Sequence, residues 1–363
     1  MGRLHDLYEQ HGQSPWLDNL RRGWLTSGEM QSWIDQGVRG LTSNPSIFAK
    51  AMTDTNDYDD ELRSLVKSGT EVEDAYWKLV VGDINHALEH LTPVHDASGG
   101  EDGYVSVEVS PSLANDEAGT VAAARELDDR IAAPNLYIKV PATVEGIPAI
   151  RTLVGESRSI NVTLIFGLER YKAVMDAYIS GLEASELGDL SSISSVASFF
   201  ISRVDVEVDR RLEEIGTDQA LSLRGKAAVA QGQLAYQLFL DTFTGSRWQQ
   251  LADRGARLQR PLWASTSTKN PSYPDTLYVD SLIGPNTVNT LPDSTLLAFD
   301  DHGTLARTVD ADPDEARQVV HDLGELGIDL EQVAFKLETE GVASFSKSFD
   351  EVLETLESRS KSI

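Results

Sequence analysis

Eight short apolar runs, each separated from the next by a segment of helical periodicity, constrain this chain more than any other feature. The runs fall at 16–20, 40–44, 104–109, 136–140, 160–166, 196–203, 261–266 and 287–291. Helical spacing of apolar residues covers 71–91, 116–132, 143–157, 168–186, 205–215 and 217–244. Nearly continuous apolar runs belong to strands buried on both faces, and their alternation with helices predicts a parallel sheet joined by helical crossovers. Eight such units predict an α/β fold of the closed (β/α)8 TIM-barrel kind. The 363 residues suit one barrel domain, 1–363, with extra helices and with C-terminal helices over 312–363. The acidic, glycine-bearing stretch 96–103 is expected to be a loop.

Most of these runs contain or end on a polar residue that an apolar core would not select. They are Asp18, Asn44, Glu108, Lys139, Thr163, Ser198 with Arg203, Ser265, and Asn289. In a barrel the C-terminal ends of the strands form the active-site face, so these groups are expected to converge there. A single Ser, Thr or Asn at such a place could equally cap the next helix, and Asp18 could do the same. Lys139 lies between Ile138 and Val140. A lysine buried there is costly unless it is ion-paired, with Glu108 or Asp18, or used in chemistry.

The chemistry open to a buried lysine is specific. Burial disfavours the charged form of an amine, and a neutral amine attacks a ketone to form a Schiff base. The protonated imine is an electron sink, so a C–C bond can break without a metal. Two carboxylates, Asp18 and Glu108, are available to move the protons that such a cycle requires. No metal and no cofactor are expected. The chain contains no cysteine, which excludes disulfides, thiolate nucleophiles and Fe–S clusters, and it fits a reducing cytoplasm. The formal charge of −27 comes without a basic stripe, so a nucleic-acid partner is not expected. An anionic substrate would need cations placed locally. No run reaches the ~20 apolar residues of a membrane span, and the first residues read neither as a signal peptide nor as a myristoylation signal.

Several segments resemble transaldolases. Leu41-Thr42-Ser43-Asn44-Pro45-Ser46 is similar to their second-strand motif. Tyr137-Ile138-Lys139-Val140-Pro141-Ala142-Thr143, followed by Glu145-Gly146, resembles the segment carrying their Schiff-base lysine. Val105-Ser106-Val107-Glu108-Val109, Asn161-Val162-Thr163-Leu164-Ile165-Phe166 and 197–205 match further strands in register, and Trp16-Leu17-Asp18-Asn19 resembles the first. The matches run in order from about residue 16 to 292, and the segments 278–292 are similar to the longer bacterial members.

The resemblance implies that Lys139 is the nucleophile and that Asp18 is the acid/base of C–C cleavage. Glu108 and Thr163 would hold and activate a water. Asn44 and Ser198 would bind substrate hydroxyls, Phe200 would wall the pocket, and Arg203 and Ser265 would contact a substrate phosphate. Shorter members carry an arginine soon after the seventh-strand serine; here Lys269 stands slightly later, a point charge in place of a two-pronged fork. The implied partners are sugar phosphates, with the protein a monomer or homodimer. A fructose-6-phosphate aldolase, which releases free dihydroxyacetone, is the nearest rival. That subgroup resembles a shorter chain and usually carries tyrosine where Phe200 stands. A non-catalytic phosphate-binding barrel is a second rival, but it has no use for Lys139, Asp18 and Glu108 together. Finally, His86-Ala87-Leu88-Glu89-His90 matches a zinc-protease pattern, against which stands the reading of plain helix histidines.

Overall fold

In a computed structural model, which describes residues 2–362, the chain closes into an eight-stranded parallel barrel in sequential order. The strands are β1 Gln13–Leu17, β2 Leu41–Thr42, β3 Val105–Glu108, β4 Leu136–Pro141, β5 Ile160–Ile165, β6 Ser195–Phe200, β7 Gln259–Ala264 and β8 Thr287–Leu291. β1 pairs with β8 over five residues, closing the ring. Main crossover helices are Val72–Ala97, Glu117–Ile131, Gly146–Gly155, Leu168–Ala184, Ser202–Ile215 and Ala227–Thr242. The terminal helices Pro313–Glu325 and Leu330–Ser362 lie where helices were expected. Among the described residues no helix is long and apolar enough to cross a membrane.

Differences from expectation have local causes. The first strand was expected at 16–20 but runs from Gln13. Pro15 lacks an N–H and reads as a strand breaker, yet β1 pairs with β2 only at Leu17, so the missing donor interrupts no ladder. The sixth strand was expected to reach residue 203 but ends at Phe200, because the chain turns into a helix at Ser202. The expected helix 217–244 is broken between Leu221 and Ala227, where Gly225 adopts φ +71°. Part of the expected loop 96–103 is helical, since the long helix continues through Pro93 to Ala97. Helices Arg3–His11, Pro45–Asp54, Asp59–Lys67, Gly245–Ala252 and Asp293–His302 were not anticipated.

The lower barrel is filled by aromatic rings. Trp16 stacks on Tyr137, and Tyr137 on Tyr104 at 4.1 Å. Gly40 makes this possible, because a Cβ there would lie 2.4 Å from the Trp16 ring. Below them Asp102, fully buried, accepts bonds from Ser14, Trp16 Nε1, Arg39 and Arg260. Burial alone would raise its pKa, but the two guanidiniums hold it below the usual carboxylate range. The closed floor leaves the C-terminal rim as the barrel's open end.

Candidate active site

Polar residues at or just past strand ends define a cavity of about 200 Å³ at that rim. Asp18 follows β1, Thr42 ends β2, Lys139 lies in β4, Thr163 in β5, Ser198 and Phe200 in β6, and Thr290 in β8. Side chains alternate along a strand, so residues two apart share the barrel interior. Asn44, Ser265 and Lys269 come from loops after β2 and β7. Arg203 enters from the first turn of the helix Ser202–Ile215 and not from a strand end, as had been expected. Phe345, on the C-terminal helix Leu330–Ser362, also lines the cavity.

Lys139 is 4% exposed. Its Nζ donates to the Ser43 carbonyl at 3.0 Å and lies 3.4 Å from Glu108 Oε2, so the ion pair weighed from the sequence forms with Glu108 and not with Asp18. The pairing follows from register, since Glu108 and Lys139 are directly opposed on β3 and β4. Glu108 does not face the main cavity. It borders a space of about 10 Å³ between Asn44, Phe48, Tyr76 and Phe349, roughly the size of one water. Burial raises its pKa, as does the Asp18 charge, while Lys139 opposes the shift.

Asp18 does not cap a helix. Its Oδ1 accepts from the Thr42 hydroxyl at 2.7 Å, and Thr42 in turn contacts the Thr290 hydroxyl at 2.6 Å. Burial raises the pKa of Asp18 too, against the charges of Lys139, Lys269 and Arg203 and the bond from Thr42. Two carboxyls displaced upward beside one amine suit proton exchange.

Thr163 lies in a bulge: the register between β5 and β6 shifts between Val162 and Ile165, with Leu164 at φ +59°. Bulges re-aim side chains beside functional sites. The buried Thr163 hydroxyl has no hydrogen-bond partner among the described residues. Ser198 donates to Asn161 Oδ1 at 2.7 Å, and Asn161 donates to the Ser106 hydroxyl at 3.0 Å. Asn44 keeps its bland role as well: its Oδ1 caps the helix Pro45–Asp54 by accepting from Ile47 N–H at 3.0 Å.

Two cations stand at the rim. The Arg203 guanidinium lies 5.4 Å from the centre of the Phe200 ring. It does not pair with Asp205, which is bonded to Ala228 N–H and Tyr278 Oη. Among the described residues it makes no ion pair. Burial lowers the pKa of Arg203, and burial together with Arg203 lowers that of Lys269. The Lys269 amine is exposed and donates to Ser267 Oγ at 2.6 Å. Ser265, which lines the same cavity, holds a left-handed φ of +55° and contacts Ser202 Oγ at 2.9 Å. Neither cation has an ion-pair partner among the described residues, so two uncompensated positive charges stand at the mouth of the cavity.

Asn289 was expected to join this group and does not. By alternation it faces the helical layer, where its Oδ1 accepts from Thr266 at 2.9 Å. His86 is exposed and His90 bonds the Leu25 carbonyl at 3.0 Å, which is the plain helix-histidine arrangement. Residues passed over in the sequence are Thr42, Thr290, Asn161 and Phe345. Asn161 had a usable signal, its period-two spacing from Thr163. Phe345 had none, because it lies on the last helix, 145 residues after the end of β6 at Phe200.

Comparison with known proteins agrees with this architecture. Residues 15–356 match the family model described as Transaldolase/Fructose-6-phosphate aldolase. A transaldolase of Thermobifida fusca is 51% identical over 347 residues, covering 94% of each chain. A transaldolase of Frankia alni is 48% identical over 349 residues, covering 95% of this chain and 94% of its own. Transaldolase 2 of Streptomyces coelicolor is 48% identical over 354 residues, 96% of this chain and 95% of its own. The chain thus belongs to the transaldolase/fructose-6-phosphate aldolase family and is an enzyme of it.

Proposed function

We propose that the protein is a transaldolase that moves a dihydroxyacetone unit from sedoheptulose 7-phosphate to glyceraldehyde 3-phosphate, through a Schiff base on Lys139. The products are erythrose 4-phosphate and fructose 6-phosphate. Its place is then the non-oxidative pentose phosphate pathway of the cytoplasm. The observation that carries the reading is the buried Lys139 amine, paired with Glu108 on one side and lining, on the other, a cavity shared with Asp18, Arg203 and Lys269.

In this reading Glu108 takes the ammonium proton of Lys139, and the free amine attacks C2 of the donor ketose. Its raised pKa makes Glu108 the better base for that step. The resulting carbinolamine loses water, with Glu108 and the Thr163 hydroxyl handling the proton and the water; Glu108 Oε2 has the Lys139 ion pair, and the buried Thr163 hydroxyl has no hydrogen-bond partner among the described residues. Asp18 then removes the proton from the C4 hydroxyl. The C3–C4 bonding electrons pass into the iminium, leaving an enamine on Lys139 and releasing the aldose. An acceptor aldehyde reverses the sequence. Ser198 and Asn44 bind the hydroxyls of the three-carbon unit, and Arg203, Ser265 and Lys269 hold the phosphate. Phe200 brings no hydroxyl to the intermediate, which favours transfer over release.

Borohydride reduction in the presence of fructose 6-phosphate, followed by peptide mapping, tests this directly. The expected adduct lies on Lys139, and Lys139→Ala should abolish both trapping and turnover. An adduct on a different lysine in that variant refutes the assignment.

A further inference from the structure

The hydroxyl contacts behind Asp18 have a definite direction. Thr42 has one hydroxyl hydrogen, and it is committed to Asp18 Oδ1 at 2.7 Å while that carboxyl is ionised. The 2.6 Å contact between Thr42 and Thr290 must then be a bond from Thr290 to Thr42. The result is an ordered chain from Thr290 on β8, through Thr42 on β2, to Asp18 after β1. All three are brought together by closure of the barrel, since β1 pairs with β2 on one side and β8 on the other. Both threonines are 2% exposed, so water does not compete freely for these bonds.

We propose that Thr290 is a positioning residue for the reaction, which orients the Thr42 hydroxyl toward Asp18 and reverses the chain when Asp18 takes up the substrate's proton. The inference rests on Asp18 being the base of C–C cleavage. While Asp18 is ionised, Thr290 polarises Thr42 and strengthens its bond to the carboxylate. Once protonated, Asp18 can donate to Thr42, and Thr42 to Thr290, whose own hydrogen turns to the cavity that Thr290 lines. Each protonation state thus finds a bonded arrangement by rotation of two hydroxyls, without movement of the backbone.

Other charges also act on Asp18. Lys139 from β4, Lys269 from the loop after β7 and Arg203 from the helix after β6 favour its ionised form, and Glu108 from β3 is a like charge. None of them is altered by a change at Thr290, so a hydroxyl-specific effect can be isolated.

The test is the pH dependence of first-aldose release in a single turnover, the step in which Asp18 accepts a proton. Thr290→Val removes the donor at nearly constant volume. It weakens stabilisation of the Asp18 carboxylate, so the acid limb should move up by roughly half a pH unit. Thr290→Ser keeps the hydroxyl and should restore the wild-type profile. In a Thr42→Val background, Thr290→Val should add no further shift, because the link to Asp18 is already cut. Thr290→Ala gives the same comparison if the valine variant does not fold. An unchanged acid limb in the donor-less variant, a serine variant shifted as far as valine, or additive shifts in the double variant would each overturn the relay. Failure of the wild type to form a borohydride-trapped adduct on Lys139 would instead remove the reaction on which the relay rests.

Discussion

The charge of the substrate site provides the sharpest quantitative test. Replacing Arg203 by Met removes the guanidinium and keeps an apolar stem against Phe200, whose ring centre is 5.4 Å from the guanidinium carbon. Among the described residues Arg203 has no ion-pair partner, so the substitution strands no carboxylate. A charge-assisted contact to phosphate contributes about 1.5–3 kcal/mol, so KM for fructose 6-phosphate should rise roughly ten- to a hundred-fold. KM for unphosphorylated fructose should change little. The ligand-free variant should melt within about 0.5 kcal/mol of the wild type, because removing Arg203 also relieves its repulsion of Lys269. Added phosphate, which should stabilise the wild type by mass action, should have a much smaller effect on the variant. The assay is paired steady-state kinetics on both ketoses, with thermal melts at several phosphate concentrations. An equal loss of kcat/KM on both substrates, or a large loss of stability without ligand, would show that Arg203 braces the fold and does not bind phosphate.

Three further outcomes follow from the same site and its surroundings. Glu108→Gln should slow formation of the trapped Lys139 adduct, whereas Asp18→Asn should form the adduct yet release the first aldose at least ~100-fold more slowly; single-turnover trapping and product release distinguish the two. Phe200→Tyr places a phenol beside the intermediate and should increase free dihydroxyacetone relative to sedoheptulose 7-phosphate when erythrose 4-phosphate is the acceptor, as read by mass spectrometry. Rapid dihydroxyacetone release by the wild type, unaffected by acceptor, would make it an aldolase. Away from the site, burial raises the pKa of Asp205 to about 6, against the bonds from Ala228 and Tyr278. A carboxyl with a raised folded pKa contributes stability below its unfolded value, near 3.8, that is lost as the pH rises through the folded value. Wild-type stability, referenced to Asp205→Asn in denaturant titrations, should therefore fall by about 2 kcal/mol between pH 4 and 7; a flat difference would refute the shift.

Barrel class, strand count and most of the polar lining of the cavity were legible in the chain itself, because local physics writes them there. A strand buried on both faces must be apolar along its whole length, so Lys139, Glu108 and Thr163 stand out against their neighbours. The helical periodicity between strands leaves parallel closure as the consistent topology. What tertiary structure alone decided is how these groups are joined. Lys139 pairs with Glu108 and not Asp18 because β3 and β4 place the first two side by side. Asp18 is held through Thr42 by Thr290, two residues 248 positions apart, which meet only when β8 returns beside β1. Asn289, as polar as its neighbour, was turned away from the cavity by the one-residue alternation that turned Thr290 into it. Arg203 reaches the rim from a helical turn, and Phe345 from the last helix of the chain. Composition and spacing along a segment reveal which side chains are out of place in a core. Contacts across hundreds of residues depend on register, strand ends and helix docking, which only closure of the barrel determines.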